Sequence, residues 1–195
     1  YTPTCRAKLG DARCGVNLVA YTFAATVTAV ESGFAFRASL LTQPNGYRYE
    51  GGWAQGVKEG AGKITYPDGA VYQGDMLKGE RAGQGKLTLP DGLVYEGGWL
   101  GGQMNGQGHL KQANGDVYDG QLAMGKREGQ GKVTYANGDT YQGAFSADKR
   151  AGKGTFRAKD GYVYEGDWVA DKRSGNGVLT PPNNNAPGAL MSYTG

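Results

Sequence analysis

Histidine occurs once, at His109, and cysteine twice in 195 residues. A single histidine excludes His-rich metal centres and leaves base catalysis little to work with, because a catalytic base needs an organised partner. Long apolar runs are missing too. Gly15 to Val30 is uncharged, but that is too short to cross a bilayer as a helix, and it holds Asn17 and threonines. Apolar residues make up 38%, low for a deep core. The net charge of +3 is too small to argue for nucleic acid. No signal peptide is present, and residue 1 is a tyrosine, which reads as a processed or partial chain.

The two cysteines are Cys5 and Cys14. Their closeness suggests a small disulfide loop and an exported protein, at the cell envelope or outside the cell. Two free thiols in a reducing compartment are the alternative. No further ligand cluster accompanies them, so no metal is expected.

Glycine and tyrosine are abundant, at 36 and 13 residues, and they recur. Tyr49, Tyr72, Tyr95, Tyr118, Tyr141 and Tyr164 are each 23 residues apart. Counting each tyrosine as position 1, position 3 is always glycine, from Gly51 to Gly166. Position 5 is Trp53, Met76, Trp99, Leu122, Phe145 and Trp168. Positions 12 and 14 are always glycine, and positions 20 and 21 read Asp-Gly or Asn-Gly in the first five units. Such a period marks a repeat architecture.

The pattern resembles the MORN repeat, whose usual form is Tyr-Glu-Gly-x-Trp, then spaced glycines, then Asp-Gly. "YEGGW" at residues 49 and 95 and "YEGDW" at 164 carry the resemblance, which covers about residues 45–180. Met76, Leu122 and Phe145 depart from its tryptophan, and Asp148 and Asp171 from the glycine at position 8. The resemblance implies self-association and protein docking. Some proteins carry these repeats beside a lipid kinase or methyltransferase domain, and no such domain is present here.

Alternation makes each unit two strands with one aromatic and one wet face. Parity within a unit calls for an even loop at roughly positions 7–10. Position 5 then faces 12, 3 faces 14, 1 faces 16, and 2 faces 15. The last pairing sets Glu50 by Lys63, Glu96 by His109, and Asp119 by Lys132. Between units an odd loop is required, and "PDG" at 67–69 and 90–92 supplies a type I turn with glycine in the left-handed position. Glycines at 3 and 14 leave bare backbone for the rings. The fold class expected is all-β: an elongated, single-layer, twisted antiparallel β-meander of hairpins, solenoid-like.

Four regions follow. Residues 1–25 hold the cysteines and a strand at 16–25. Residues 26–48 read as a degenerate capping repeat, with Asn45-Gly46 on the turn positions. Residues 49–180 are the six repeats, and 181–195 is a Pro/Asn-rich tail whose "ALMSY" could pair along an exposed edge.

No motif here carries catalysis. Gly-Lys pairs lack the following Ser or Thr and the strand-to-helix setting of a phosphate loop, and Gly-x-Gly fails the dinucleotide fingerprint likewise. The Asp-Gly residues Asp68, Asp91 and Asp160 read as turn chemistry rather than a calcium site. No cofactor and no small-molecule substrate are expected. Two features remain. Tyr49, Trp53, Tyr72, Tyr95, Trp99, Tyr118, Tyr141, Phe145, Tyr164 and Trp168 would line a groove for a partner, or pack ring on ring. Lys58, Arg81, Lys126, Arg127, Lys149, Arg150, Lys172 and Arg173 form a basic edge of hairpin tips, moderated by Glu59, Glu80, Glu128, Asp148 and Asp171. The expected function is a non-enzymatic scaffold that binds itself, head-to-tail as a homo-oligomer or filament, or another protein. The alternatives are a cytoplasmic, membrane-peripheral adaptor binding anionic lipid through that edge, and a non-catalytic fragment of a larger enzyme.

Overall fold

The computed structural model describes residues 28–32, 35–182 and 189–193, with side chains from residue 40 to 182. The described elements are all strands, and within each of the chain's two compact units consecutive strands pair antiparallel as a meander. A first hairpin joins β1 (Thr28–Ser32) to β2 (Ala35–Thr42). The six repeats then alternate short and long strands. The short ones are β3 (Arg48–Ala54), β5 (Val71–Leu77), β7 (Val94–Leu100), β9 (Val117–Ala123), β11 (Thr140–Ser146) and β13 (Val163–Val169). The long ones are β4 (Val57–Thr65), β6 (Glu80–Thr88), β8 (Gln103–Lys111), β10 (Lys126–Thr134), β12 (Lys149–Arg157) and β14 (Lys172–Thr180), and β15 (Ala189–Tyr193) follows. The chain divides into two compact units, one of residues 1–90 with 99–102 and the other of residues 91–98 with 103–195. The strand expected at 16–25 lies outside the described residues.

The root of each hairpin has the register the alternation calls for. Tyr49 faces Ile64, Glu50 faces Lys63 and Gly51 faces Gly62. The connections between repeats also follow. Gly69 N–H donates to the Tyr66 carbonyl at 3.0 Å, Tyr66 N–H to the Ala70 carbonyl at 2.8 Å, and Gly69 has φ of 88°. The Asp68 carboxylate accepts from Ala70 N–H at 2.9 Å, and Asp91 and Asp160 cap their loops the same way. The Asp-Gly residues are thus bonded as turn residues.

The tips differ from the expectation. Position 5 does not face position 12 within a repeat. It faces position 10: Trp53 with Lys58, Met76 with Arg81, Phe145 with Arg150, Trp168 with Arg173. The tip is a two-residue turn at positions 7 and 8, both with positive φ, as in Gln55 (50°) and Gly56 (81°). That is the hairpin geometry matching strand twist. Two residues at positions 12 and 13 are left over as a bulge, which preserves the face parity. Position 12 carries the positive φ of the bulge, 74° at Gly60 and 57° at Gly152, which favours glycine there. The same glycine pairs with position 5 of the next repeat, as Gly60 with Met76 and Gly152 with Trp168. Asp75 and Asp167 accept the bulge amides of Gln84 and Asn176 at 2.9 and 3.1 Å. The first hairpin, with Arg37 where the repeats have glycine, shows the contrast. There Val30 faces Arg37, positions 5 and 12, with no two-residue bulge at that point.

Candidate functional site

The aromatic face is built from positions 1, 5 and 10. Each position-1 tyrosine lies across the glycines at 3 and 14 of its own repeat. A Cβ on Gly154 would come within 2.3 Å of the Tyr141 hydroxyl oxygen, and one on Gly62 within 2.5 Å of the Tyr49 ring. Each tyrosine hydroxyl donates to the carbonyl of position 4, for example Tyr49 to Gly52 at 2.7 Å and Tyr118 to Gln121 at 2.7 Å. Tyr49, Tyr72, Tyr95, Tyr141 and Tyr164 are 0% exposed and Tyr118 1%. Burial first of all pushes the phenols of Tyr49, Tyr72, Tyr118 and Tyr141 up to about 12.

An aromatic residue at position 5 meets neighbouring position-1 tyrosines edge-on. In the second unit Phe145 meets Tyr118 and Tyr141, and Trp168 meets Tyr141 and Tyr164, with centroids 5.2–5.3 Å apart. In the first unit Tyr72 meets Trp99 at 5.2 Å and Tyr49 meets Trp53 at 5.3 Å. Each such contact contributes about 0.5–1.5 kcal/mol beyond burial. Trp99 and Trp168 donate their indole N–H to the carbonyls of Gly85 and Gly154 at 3.0 Å. The indole nitrogen of Trp53 is buried without such an acceptor.

The basic residues at position 10 cover these rings. Arg81 lies 4.4 Å over Trp99, Arg127 5.1 Å over Phe145 and Arg150 4.2 Å over Trp168. Arg173 lies 5.3 Å over Tyr164. Lys58 lies over Tyr49 and donates to the Tyr47 hydroxyl at 2.8 Å. The pairing follows the chemistry of the next repeat: arginine precedes an aromatic position 5 (Trp99, Phe145, Trp168), while Lys58 and Met104 precede Met76 and Leu122. The ten residues of the expected partner groove therefore fill that face with each other and with these side chains. A partner reaching the rings has to displace the cations first.

The same arginines bind the tips together. Arg127 donates to the Asp148 carbonyl at 2.5 Å and its backbone N–H to the Asp148 carboxylate at 2.9 Å. Arg150 does the same to Asp171, at 2.9 Å for both. Arg81 donates to the Gly102 carbonyl at 2.6 Å. Glu59 and Glu128 accept from the backbone N–H groups of Lys78 and Ala147 at 2.9 Å. Most charges of the basic edge are thus bonded within the molecule; Lys126, Lys149 and Lys172 are exposed, and so is Arg173, which still lies over the Tyr164 ring.

The opposite, polar face holds a feature the sequence reading did not single out. In the second unit a shallow open depression of about 590 Å³ crosses the strands. Its floor is the glycine row Gly143, Gly154, Gly166 and Gly177, paired in register. Gln142, Thr155 and Glu165 flank one side and Gln130, Lys153 and Asn176 the other. Lys153 binds Asp167 at 2.6 Å beside it, which holds the Asp167 carboxyl below the usual range. The available signal was the glycine at positions 3 and 14 of every repeat, flanked in the last repeats by Gln142, Thr155, Gln130 and Asn176. His109 sits on this face, half exposed, 2.6 Å from Asp119 of the next repeat. Cys5 and Cys14 lie outside the described residues. Among the described residues no group of three potential metal ligands converges.

These observations define a repeat array of β-hairpins closed by its own side chains. The MORN repeat model matches residues 49–71, 72–94, 95–117, 118–140, 141–161 and 164–186, and the chain belongs to the MORN-repeat family. No curated protein sequence matches the chain. Among solved structures it is similar to the SAS-4 (dCPAP) TCP domain of Drosophila melanogaster in complex with a proline-rich motif of Ana2 (dSTIL). The identity is 16%, covering 78% of this chain and 82% of that one, with a TM-score of 0.49. It is also similar to the CPAP G-box domain, at 14% identity over 80% of this chain and 98% of that one, TM-score 0.34. A third likeness is the TCP10 domain of Danio rerio CPAP, at 18% identity over 80% and 98%, TM-score 0.24.

Proposed function

We propose that this MORN-repeat chain is a non-enzymatic scaffold that binds another protein. The observation that carries the reading is the glycine-floored depression of the second unit. Its floor is bare backbone, and its flanks are amides, a hydroxyl and paired charges. An extended polypeptide laid across the strands meets there a surface one side chain deep, with hydrogen-bonding groups on both sides. The family membership supports a binding role. Self-association, an exported location and a Cys5–Cys14 disulfide belong to the same proposal.

The test is a photo-crosslinking residue placed at Gln142 or Thr155, compared with one at Lys149, in a native preparation. Protein adducts confined to the first two positions support the reading. Adducts at Lys149 alone, or none at any position, contradict it. Light scattering tests self-association: a strict monomer at every concentration overturns that part.

The second reading, an anionic-lipid adaptor, rests on the outward lysines. Arg127 and Arg150 are not suitable probes for it, since they hold the tips. Sedimentation with acidic vesicles that survives replacement of Lys126, Lys149 and Lys172 by glutamine would sink it.

A further inference from the structure

Position 15, on the polar face, is Lys63, Lys86, His109 and Lys132 in repeats one to four, but Thr155 and Val178 in repeats five and six. Position 2 holds an acid in several repeats, and the loss of those cations isolates one of them. Glu50 faces Lys63 and is bonded to Arg48 at 3.1 Å. Asp119 faces Lys132 on one side and His109 on the other, with His109 at 2.6 Å. Glu165 faces Thr155 on one side and Val178 on the other. It is exposed, and its carboxylate makes no ion pair or hydrogen bond among the described residues. The cations nearest in register do not serve it. Lys153 is held by Asp167 at 2.6 Å, and Arg157 stands opposite Val163 without an ion pair to Glu165.

Glu165 is also a wall of the glycine-floored depression, beside the paired Gly154 and Gly166. Its neighbours there are Val178, 40% exposed, and Gln142 and Thr155, whose side chains make no hydrogen bond among the described residues. A carboxylate, an amide oxygen and a hydroxyl all accept, while valine offers methyl groups. The complement of that set is a side chain with an apolar stem and a cationic head rich in donors. Arginine has both: its stem packs on apolar surface, and its planar guanidinium carries five donors that fit a carboxylate in pairs. A flat head also suits a floor on which no Cβ stands. Lysine has the charge, but on a compact and strongly hydrated head.

We infer that the depression takes an arginine side chain from an extended segment of a partner protein, with its guanidinium on Glu165 and its stem against Val178. The bound arginine supplies the cation that position 15 supplies in the earlier repeats. The inference rests on the scaffold reading above and deepens it, by naming the chemistry through which the partner is recognised.

The test measures binding of short fluorescent peptides to the full chain. The peptides alternate threonine and valine and differ only at the central residue, which is arginine, its neutral isostere citrulline, or lysine. The arginine peptide is expected to bind about fivefold more tightly than the citrulline peptide, the size of one part-exposed ion pair. It should also bind more tightly than the lysine peptide. Glu165→Gln should abolish the preference for arginine over citrulline. Thr155→Lys should abolish it too, because it places the missing cation on the chain itself. Both substitutions introduce residues that other repeats carry at those positions, as at Gln73 and Lys132, so the β-sheet circular dichroism should be kept. Glu50→Gln, at an acid that already has its cation, should leave the preference unchanged. Equal binding of the arginine and citrulline peptides, no binding of either, or a preference that survives Glu165→Gln overturns the proposal. Equal binding of the lysine peptide overturns the choice of a guanidinium. The photo-crosslinking residue at Gln142 separates this failure from that of the scaffold reading. Protein adducts that persist undiminished in the Glu165→Gln chain leave the scaffold standing and overturn the arginine. Adducts absent from the unsubstituted chain overturn both.

Discussion

The hairpin tips fall into two kinds. Repeats one to four end in glycine at position 8, and repeats five and six in Asp148 and Asp171. Both kinds hold a positive φ there, 75–86° for the four glycines and 69–71° for the two aspartates. Both give their position-8 N–H to the position-10 carbonyl of the repeat before, as Gly102 to Arg81 and Asp148 to Arg127, each at 3.0 Å. Glycine reaches that conformation freely, whereas aspartate costs about 1 kcal/mol. The aspartates offset it: each carboxylate accepts from the backbone N–H of Arg127 or Arg150 and sits beside its guanidinium. These ion pairs are partly exposed, with the arginine side chains 20–22% and the aspartates 47% accessible. Their Coulomb share is therefore modest, under about 1 kcal/mol. The lesson is that one backbone geometry is reached by two chemistries, one free of strain and one strained but cross-linked to its neighbour.

The largest way to break both kinds at once is alkali. The buried tyrosines hold their protons to about 12, above the ordinary 10.0. A raised pKa gives stability that is complete below pH 10 and is lost as pH climbs through 12. Unfolding by circular dichroism should coincide with phenolate absorbance in that window. A sheet that persists after all phenols ionise would contradict their burial.

Next comes Gly154→Ala, whose methyl would collide with the Tyr141 ring, expected to cost about 3 kcal/mol in urea unfolding. Gly79→Ala meets no atom within 4 Å and should cost about 1 kcal/mol from its φ alone. Equal costs would mean that the rings do not need the bare backbone. Asp171→Ala should cost about 1–2 kcal/mol, since alanine keeps the strain and loses the acceptor. The smallest effect is expected for Gly102→Asp, which converts a glycine tip to the aspartate kind beside Arg81. Strain and new bonds should cancel to within about 0.5 kcal/mol. A loss above about 2 kcal/mol would show that the two tips are not interchangeable.

Much of this was legible in the sequence. The period gave the strand count of the repeats, alternation gave the pairs 1–16, 2–15 and 3–14, and "PDG" gave its turn. The tips were misread for one reason. Glycine at position 12 looks the same in sequence whether it makes room for a ring or takes a positive φ, and only the second use inserts a bulge. An even loop at positions 7–10 with position 12 still opposite position 5 puts position 10 in the tip, so its arginines read as part of a basic edge rather than as cover for the rings. In the actual register Arg81, Arg127 and Arg150 reach the rings of Trp99, Phe145 and Trp168. The polar-face depression went unseen because its floor is absence of side chains, which a pattern of residues does not advertise.

The central claim is that the arginines of the basic edge are part of the fold and the lysines beside them are not. Arg150 and Lys149 are adjacent on one tip and carry the same charge, so Arg150→Ala and Lys149→Ala isolate that claim. Urea unfolding with acrylamide quenching of tryptophan emission reads both. The account predicts a loss of about 2 kcal/mol and increased quenching for Arg150→Ala. For Lys149→Ala it predicts stability within about 0.5 kcal/mol of the parent and unchanged quenching. Equal, small effects of the two substitutions would contradict it.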